Sequence, residues 1–417
     1  MAVDLQQPHL LLLSWPSEGI SQAALNSLYR PTLSAVLARL SQYDSPTTLV
    51  LVVACPALEG PASSSSRQVK WTYAQSLLAA LYVIIASVCA EKGIATDVGA
   101  VEKGSVDVRI VLVDHTKGRN YSPEQLIDSE DRGNGTTVPD LVAFSRRKQS
   151  WKTVFHPNSE EGYGLLGEFL KLAEGKMKIL QDQIIAVDCG IMLTTGQEVH
   201  DDGHSGKTGS ITKPYDSVCL GGTFDHLHVG HKLLLHATAL LVADAPEQTS
   251  ELIVGISGDA LLVKKAYAEE LQPWTSRARS VISFLETVID LKVSAARDSE
   301  TDSTPAPKDN EEFQAHLRDG RLLVRCVNIP DPFGPTITEE GIGAIVVSAE
   351  TRSGGAAINK RRGDKGWNPL EVYEIDVLDA GGVEPENGET GKESFESKIS
   401  STTIRKQRME ARATQGA

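Results

Sequence analysis

Two histidines that follow a glycine-rich turn are the first residues in this sequence whose types and spacing could do chemistry. The segment 216–236 begins with a short apolar run typical of a buried strand, passes through Gly-Gly-Thr-Phe-Asp, and opens an amphipathic helix at His228-Val-Gly-His231. Glycine lets a backbone approach a phosphate closely, and the unpaired N–H groups of a first helical turn attract anions. The two imidazoles would project to one side and could donate hydrogen bonds to a phosphoryl group. The pattern therefore indicates a nucleotide site.

Two other interpretations of these histidines are open. A single histidine at such a position most often packs against its neighbours or caps the helix. The spacing His226-x-His228-x-x-His231 is also similar to the pattern of dinuclear metallo-hydrolases. That pattern requires an aspartate directly before its last histidine, where this sequence has Gly230, and zinc ligands would leave the preceding Gly-Gly-Thr unexplained. We therefore predict that these side chains bind no metal.

The composition limits the classes of partner and the compartment. A chain of 417 residues is long enough for two or three domains, and a net charge of −14 with a pI near 5.3 argues against nucleic acid or an anionic membrane as the main partner. The five cysteines form no Cys-x-x-Cys pair and lie mostly in apolar runs, which is typical of reduced core residues in an intracellular protein. The N-terminus lacks the basic segment of a signal peptide. The sequence predicts a cytoplasmic protein.

One apolar stretch approaches the length of a membrane span. Residues 71–90 carry no charge. Gln75, Ser76 and Ser87 interrupt the stretch, and its strongly apolar part is only about 14 residues long, which suits a buried helix better. We expect a core helix and no membrane span.

The first 195 residues alternate strand-like and helical segments, which favours an α/β domain with parallel strands. The predicted strands are 9–14, 48–54, 108–113 and 184–187, and the predicted helices are 21–40, 71–91 and 162–172. Pro31 is expected to break or kink the first helix. No catalytic constellation is evident in this N-terminal domain, 1–195. The polar, glycine-rich residues 196–213 predict a linker to a second domain, 214–417.

The second domain contains further strand-to-helix turns at which a phosphate could bind. Lys264 and Lys265 follow a predicted strand at 251–256, and open α/β sheets bind ligands at the carboxyl ends of their strands. A later strand, 344–348, also ends before a glycine pair and a basic helix. Both turns are candidate anion sites.

A run of hydroxyl side chains precedes the last helix. One hydroxyl is enough for an N-cap. Several hydroxyls in a row beside Lys398 and Arg405 therefore indicate a phosphate-binding segment. Two polar stretches separate the motifs, and we predict a disordered insertion at 296–312 and a mobile loop at 379–396.

Four motifs in a fixed order give the second domain a family resemblance. Gly-Gly-Thr-Phe-Asp-x-x-His-x-Gly-His at 221–231 and Ile-Ser-Ser-Thr-x-x-Arg at 399–405 resemble the nucleotidyltransferase superfamily. Between them, Glu-Thr-x-x-Gly-Gly-x-x-x-Asn-x-x-Arg at 350–362 and Asp-Pro-Phe-Gly-Pro at 331–335 resemble the eukaryotic type of phosphopantetheine adenylyltransferase. The resemblance covers about 214–410, and the long N-terminal extension is similar to the fungal form.

The resemblance implies both a fold and a reaction. The fold would be a Rossmann-like domain with a parallel sheet. The reaction would be transfer of AMP from ATP to 4'-phosphopantetheine, which gives dephospho-CoA and pyrophosphate in coenzyme A synthesis. Mg²⁺ would accompany ATP on the pyrophosphate group with few or no protein ligands. The N-terminal domain leaves room for protein partners of the same pathway.

The resemblance also implies roles for particular residues. Thr223 would touch the incoming phosphate, His228 and His231 would hold the phosphates of ATP, and Lys264 or Lys265 would bridge the reacting groups. The residues expected to grip the triphosphate from the other side are Ser400, Ser401, Thr402 and Arg405. The remaining motif residues, expected to serve the substrates or the structure, are Gly222, Phe224, Gly230, Glu350, Asn359 and Arg362.

Two alternative functions are open at this point. A cytidylyltransferase acting on phosphocholine or phosphoethanolamine typically has Arg-Thr-x-Gly before its final Ile-Ser motif, and this sequence lacks those residues before Ile399. A non-catalytic scaffold would be free to lose the motif residues, whereas His231, Lys264 and Ser400 are intact. Both alternatives are therefore weaker than the adenylyltransferase.

Overall fold

The computed structural model describes residues 7–15, 22–61, 64–121, 133–190, 212–245, 248–293, 312–376 and 400–415. Contacts divide the chain into two compact units. The N-terminal unit comprises Met1–Ala95 and Val101–Lys213, and the C-terminal unit comprises Thr96–Ala100 and Pro214–Ala417. The predicted linker, insertion and loop lie outside the described residues, apart from Thr212, Lys213 and Glu312.

The sheet of the N-terminal unit has five parallel strands, because long apolar runs allow both of its faces to be buried. The strands are β1 (His9–Ser14), β2 (Thr47–Cys55), β3 (Val106–Asp114), β4 (Thr153–Pro157) and β5 (Ile184–Val187), in the spatial order β3-β2-β1-β4-β5. The helices are α1 (Gln22–Leu40), α2 (Trp71–Lys92), α3 (Leu141–Arg146) and α4 (Glu160–Ala173). The predicted α/β architecture is confirmed.

Two details of this unit differ from the sequence pattern. Helix α1 runs through Pro31 without a break, because Pro31 is exposed and the helix buries an apolar face that includes Leu33 and Leu37. The strand β4 is not predicted by the pattern, since Thr153 and His156 interrupt its apolar residues. Both are buried in the structure, so tertiary packing decides that this segment is a strand.

Helix α2 is long and apolar enough to cross a membrane. Of its most apolar 18-residue window, 72% is buried inside the protein. Its side chains, such as Leu81, Tyr82 and Ile85, are fully buried in the unit that they stabilise. This burial agrees with the expected core helix.

A buried network of ion pairs lies at the carboxyl end of β3. The Asp114 carboxylate is fully buried, and one of its oxygens lies 2.6 Å from both Arg67 and Arg119. His115 contacts Glu168 at 3.1 Å. Buried charges are tolerated only when they are paired in this way.

The sheet of the C-terminal unit has six strands, and the pairs other than β8–β9 are parallel. The strands are β6 (Ser217–Gly222), β7 (Ser250–Ser257), β8 (Glu312–Leu317), β9 (Leu322–Ile329), β10 (Ala344–Val347) and β11 (Glu371–Glu374), in the order β8-β9-β7-β6-β10-β11. The helices are α5 (Val229–Ala239), α6 (Trp274–Asp290), α7 (Arg352–Asp364) and α8 (Ser401–Gln415). The antiparallel edge strand β8 makes the sheet mixed rather than wholly parallel.

The strand order places the predicted motifs at one edge of this sheet. Strands β6, β7 and β10 are adjacent and parallel, so their carboxyl ends lie together. The first histidine motif follows β6, the lysine pair follows β7 and the Glu350 motif follows β10. The apolar core beneath this edge includes Cys219, Ile253 and Ile345.

The segment Thr96–Ala100 belongs to the C-terminal unit, although the sequence pattern assigns it to the first domain. Its Val98 N–H donates to the Leu227 carbonyl oxygen at 3.1 Å, and the buried Lys232 ammonium donates to the Thr96 carbonyl oxygen at 2.9 Å. Contacts with residues distant in sequence, which no local pattern reveals, decide where this segment belongs.

Candidate active site

The turn after β6 is built around Gly222 and Phe224. A Cβ added to Gly222 would lie 3.0 Å from the Phe224 ring. Any other residue at this position would therefore have to displace that ring. Phe224 has a left-handed backbone (φ 53°) and is fully buried, and its ring centroid lies 5.3 Å from that of His231. Gly222 and the Phe224 ring therefore fix the position of His231.

His228 caps helix α5 and stacks on His231. Its Nδ1 accepts a hydrogen bond from the Gly230 N–H at 3.2 Å, and the two imidazole centroids are 3.9 Å apart. A nitrogen that accepts carries no proton, so the neutral His228 ring carries its proton on Nε2. The capping bond leaves the Nε2–H as the donor of this ring.

Desolvation lowers the pKa of both half-buried imidazoles, which favours their neutral forms. Desolvation lowers the pKa of His231 to about 3, with a smaller contribution from His226. Desolvation, followed by repulsion from His231, lowers the pKa of His228 well below its usual value. At neutral pH the pair therefore offers N–H donors rather than two positive charges.

His226 has partners different from those of the stacked pair. Its Nε2 lies 2.9 Å from the Glu270 carbonyl oxygen, and its backbone N–H donates to the Gln272 side chain at 2.8 Å. Within the part of the chain that the structure describes, no group of three His, Cys, Asp or Glu side chains could hold a metal ion. The three motif histidines are thus arranged as a stacked pair and one separate, buried ring.

The last helix is joined to the first motif through Asp225. This fully buried carboxylate lies 2.6 Å from the Arg405 guanidinium, and its other oxygen accepts the Gln272 N–H at 2.9 Å. The Ser401 hydroxyl donates to the Asp225 carbonyl oxygen at 2.8 Å. Two motifs about 170 residues apart in sequence therefore meet at one residue.

Arg405 contacts the protein with all three guanidinium nitrogens. Besides Asp225, it donates to the Ala266 carbonyl oxygen at 3.0 Å and to the Thr402 hydroxyl at 3.1 Å. Ser400 accepts the Thr403 N–H at 3.3 Å, as an N-cap does. The described contacts give Arg405 a part in anchoring helix α8, and the phosphate-binding role of these residues stays a prediction.

Arg277 is a residue that the motif analysis does not single out. It is fully buried and donates to the backbone carbonyl oxygens of Thr223 at 2.7 Å, Ser257 at 2.9 Å and Gln272 at 3.0 Å, and to the Asp259 carboxylate at 2.6 Å. It thereby ties the ends of β6 and β7 together. The signal in the sequence is an arginine on the apolar face of α6, three residues after the buried Trp274.

The lysine pair lies on an exposed turn. Lys264 and Lys265 follow the short 3₁₀ helix Asp259–Leu261 at the carboxyl end of β7, and both side chains are exposed. Leu261 and Val263 beside them are 48% and 71% exposed. The turn thus combines positive charge with apolar surface next to the strand ends.

The third motif divides into an exposed and a buried part. Glu350 is exposed in the 3₁₀ helix Ala349–Thr351 after β10. The Asn359 amide bridges the backbone N–H (2.8 Å) and carbonyl oxygen (3.0 Å) of Leu370. The buried Arg362 donates to the carbonyl oxygens of Thr336, Glu339, Glu340 and Asn368. Of the expected roles, these contacts favour structure for Asn359 and Arg362.

Comparisons with known proteins match two regions of the chain to family models. Residues 219–407 match the family model described as cytidylyltransferase-like, and residues 1–193 match a model described as a domain of unknown function. A phosphopantetheine adenylyltransferase of Pyrococcus furiosus is 30% identical over 168 residues, which cover 40% of this chain and 81% of that protein. The chain belongs to the phosphopantetheine adenylyltransferase family of nucleotidyltransferases. The resemblance inferred from the four motifs is confirmed.

Two fungal relatives are longer than the matched region. A phosphopantetheine adenylyltransferase of Saccharomyces cerevisiae is 34% identical over 189 residues, 45% of this chain and 47% of that protein. An uncharacterized protein of Schizosaccharomyces pombe is 36% identical over 188 residues, 45% of this chain and 46% of that protein. The aligned part of the chain spans about half the length of these two relatives.

Proposed function

We propose that this protein transfers AMP from ATP to 4'-phosphopantetheine and releases pyrophosphate. The observation that carries the proposal is the Asp225–Arg405 contact at 2.6 Å, which joins the histidine turn to the hydroxyl-rich start of α8. Two helix N-termini with N–H and O–H donors then belong to one site, and helix N-termini attract phosphate groups. The acceptor is proposed from the family, because the Saccharomyces cerevisiae and Pyrococcus furiosus relatives are named phosphopantetheine adenylyltransferases.

The reaction needs positioning and charge stabilisation more than proton transfer. A phosphate monoester has its second pKa near 6, so the acceptor phosphate is largely dianionic at neutral pH. One of its oxygens attacks the α-phosphorus of ATP in line, a new P–O bond forms, and the bond to the β-phosphate oxygen breaks with release of pyrophosphate. Mg²⁺ would travel with ATP and its pyrophosphate product as part of the substrate.

The roles of the chain's residues follow from this scheme. The Nε2–H of His228 and the ring of His231 would donate to the ATP phosphates, and Thr223 would contact the incoming phosphate. Lys264 or Lys265 would reach the reacting groups from the exposed turn, and Ser400 to Thr402 would contact the triphosphate at the start of α8. Arg405 would act through Asp225 by holding α8 in place.

The pH dependence should lack a histidine titration near neutrality. Because burial lowers the pKa of both His228 and His231, neither ring changes its charge between pH 6 and 9. We expect kcat/KM to be flat from about pH 7 to 9 and to fall below about pH 6, where the acceptor phosphate becomes protonated. A rise in kcat/KM on acidification toward pH 5.5 would contradict neutral donors.

The decisive experiment measures pyrophosphate release with ATP and 4'-phosphopantetheine. We expect His231→Ala to lower kcat by about 100-fold or more, because a preorganised donor to the transition state is lost. The exposed His316 offers a matched control, and His316→Ala should retain wild-type activity. No release with this substrate pair by the wild-type protein would refute the proposal.

A second candidate is tested in the same assay. The description of the matched model as cytidylyltransferase-like favours a CTP-dependent enzyme. CTP with phosphocholine is therefore run in parallel. Release with that pair alone would replace the adenylyltransferase by a cytidylyltransferase.

A further inference from the structure

Helix α8 is held by a row of arginine–carboxylate pairs. Its arginines at positions 405, 408 and 412 are spaced three and four residues apart, so they lie on one face of the helix. The pairs are Arg405–Asp225 at 2.6 Å, Arg408–Asp97 at 2.9 Å and Arg412–Glu270 at 2.8 Å. The three carboxylates are nearly fully buried, so the docking of α8 depends strongly on charge.

Asp97 is the member of this row that comes from a distant part of the chain. Its carboxylate is 3% exposed and lies 2.9 Å from Arg408 and 3.7 Å from the Nδ1 of His226. That Nδ1 is buried and has no hydrogen-bond partner among the described residues. Asp97 therefore faces the histidine turn on one side and helix α8 on the other.

The backbone around Asp97 is attached to the same turn. The Val98 N–H donates to the Leu227 carbonyl oxygen, one residue before His228, and Lys232, one residue after His231, donates to the Thr96 carbonyl oxygen. The segment Thr96–Ala100 is thus hydrogen-bonded to Leu227 and Lys232, the residues directly before His228 and directly after His231. Because both attachments use backbone atoms of the segment, the position of Asp97 is well defined relative to the two imidazoles.

We infer that Asp97 is a positioning residue that sets the separation between the two walls of the triphosphate site. One wall is the stacked pair His228 and His231, and the other is the start of α8 at Ser400–Thr402. Asp225 connects the walls at the first turn of α8, and Asp97 connects them one turn later. This inference rests on the proposed function for the identity of the ligand. The inference assigns a role in the site to Asp97, which lies outside residues 219–407, the range that the cytidylyltransferase-like model matches.

The consequence is a defect in ATP binding when the Asp97 charge is removed. In Asp97→Asn, the amide keeps the shape of the side chain but gives Arg408 a neutral partner, so α8 loses the charge of one of its three arginine–carboxylate pairs. We expect KM for ATP to rise by about tenfold, the loss typical of one charge-assisted hydrogen bond. We expect kcat to change less, because the histidine pair remains attached to β6. Asp97→Glu, which keeps the charge, should recover part of the loss.

A matched control comes from another buried aspartate in the same unit. Asp244 is 1% exposed and contacts Arg321 at 2.8 Å, and Arg321 directly precedes β9 at the amino end of that strand. Asp244→Asn removes a comparable buried charge far from the strand carboxyl ends. It should lower stability while leaving KM for ATP unchanged.

Three measurements on the full-length protein separate the outcomes: KM and kcat for adenylyl transfer, ATP binding by calorimetry, and hydrogen exchange of the α8 amides. Faster exchange in α8 with weaker ATP binding in Asp97→Asn, and neither effect in Asp244→Asn, supports the inference even if the wild-type protein transfers nothing to 4'-phosphopantetheine. In that case the proposed function alone fails. Unchanged α8 exchange in Asp97→Asn overturns the inference, and so does faster exchange accompanied by unaltered ATP binding and KM.

Discussion

Asp225→Asn is expected to lower both the stability and the activity of the protein strongly. The Asp225 carboxylate accepts hydrogen bonds on both sides, from Arg405 at 2.6 Å and from the Gln272 N–H at 2.9 Å. Asparagine has only one acceptor oxygen, so its amide group must face one of these two donors. Leaving one partner of a buried pair without its counter-charge costs about 3–5 kcal/mol.

The effect on catalysis follows from the position of α8. Without the Asp225–Arg405 contact, the start of α8 is no longer fixed against the histidine turn, and a displacement of about 1 Å can cost 100-fold in rate. We expect kcat/KM for adenylyl transfer to fall by at least about 100-fold. Chemical denaturation gives the change in the free energy of unfolding, and pyrophosphate release gives the change in kcat/KM.

Asp290→Asn is the control for this substitution. Asp290 is also buried, accepts the Arg318 N–H at 2.9 Å and ends α6 away from the strand carboxyl ends. It should reduce stability without a comparable loss of kcat/KM in the protein that remains folded. If Asp225→Asn retained near wild-type kcat/KM, the Asp225–Arg405 contact between the two motifs would have no catalytic importance.

Arg277→Lys is the second substitution with a large expected effect. The fully buried guanidinium donates to three backbone carbonyl oxygens and to Asp259, and the single ammonium of lysine cannot reach all four acceptors. Each buried acceptor left without a donor costs about 1–3 kcal/mol, so we expect a loss of roughly 2–4 kcal/mol in the free energy of unfolding. Differential scanning calorimetry measures this loss as a lower Tm.

The same substitution should weaken activity through Thr223. The Arg277–Thr223 contact at 2.7 Å fixes the backbone of the residue proposed to meet the incoming phosphate. We expect KM for 4'-phosphopantetheine to rise, and kcat to fall by about tenfold or more. The control is Arg325→Lys, since Arg325 in β9 pairs with Glu312 in β8 and with Glu339, which lies between β9 and β10. Equal kinetic effects of the two lysine variants would remove the special role of Arg277.

The sequence by itself determined the architecture and the family. Strands such as β2 and β7 contain continuous apolar runs, which are typical of parallel strands buried on both faces. The glycine turn with His228 and His231 requires a strand before it and a helix after it, and the structure has both. These features are local, so neighbouring residues suffice to predict them.

Only the tertiary structure decided which polar side chains pair with one another inside the C-terminal unit. Arg405 resembles a phosphate ligand in sequence, yet its guanidinium is buried against Asp225. Arg277 and Asp97 belong to no recognised motif. Three of the four acceptors of Arg277 lie between 18 and 54 residues away along the chain, and Arg408, the partner of Asp97, lies 311 residues away. Buried charges must find counter-charges wherever the fold brings them, and that pairing is fixed by packing rather than by local sequence.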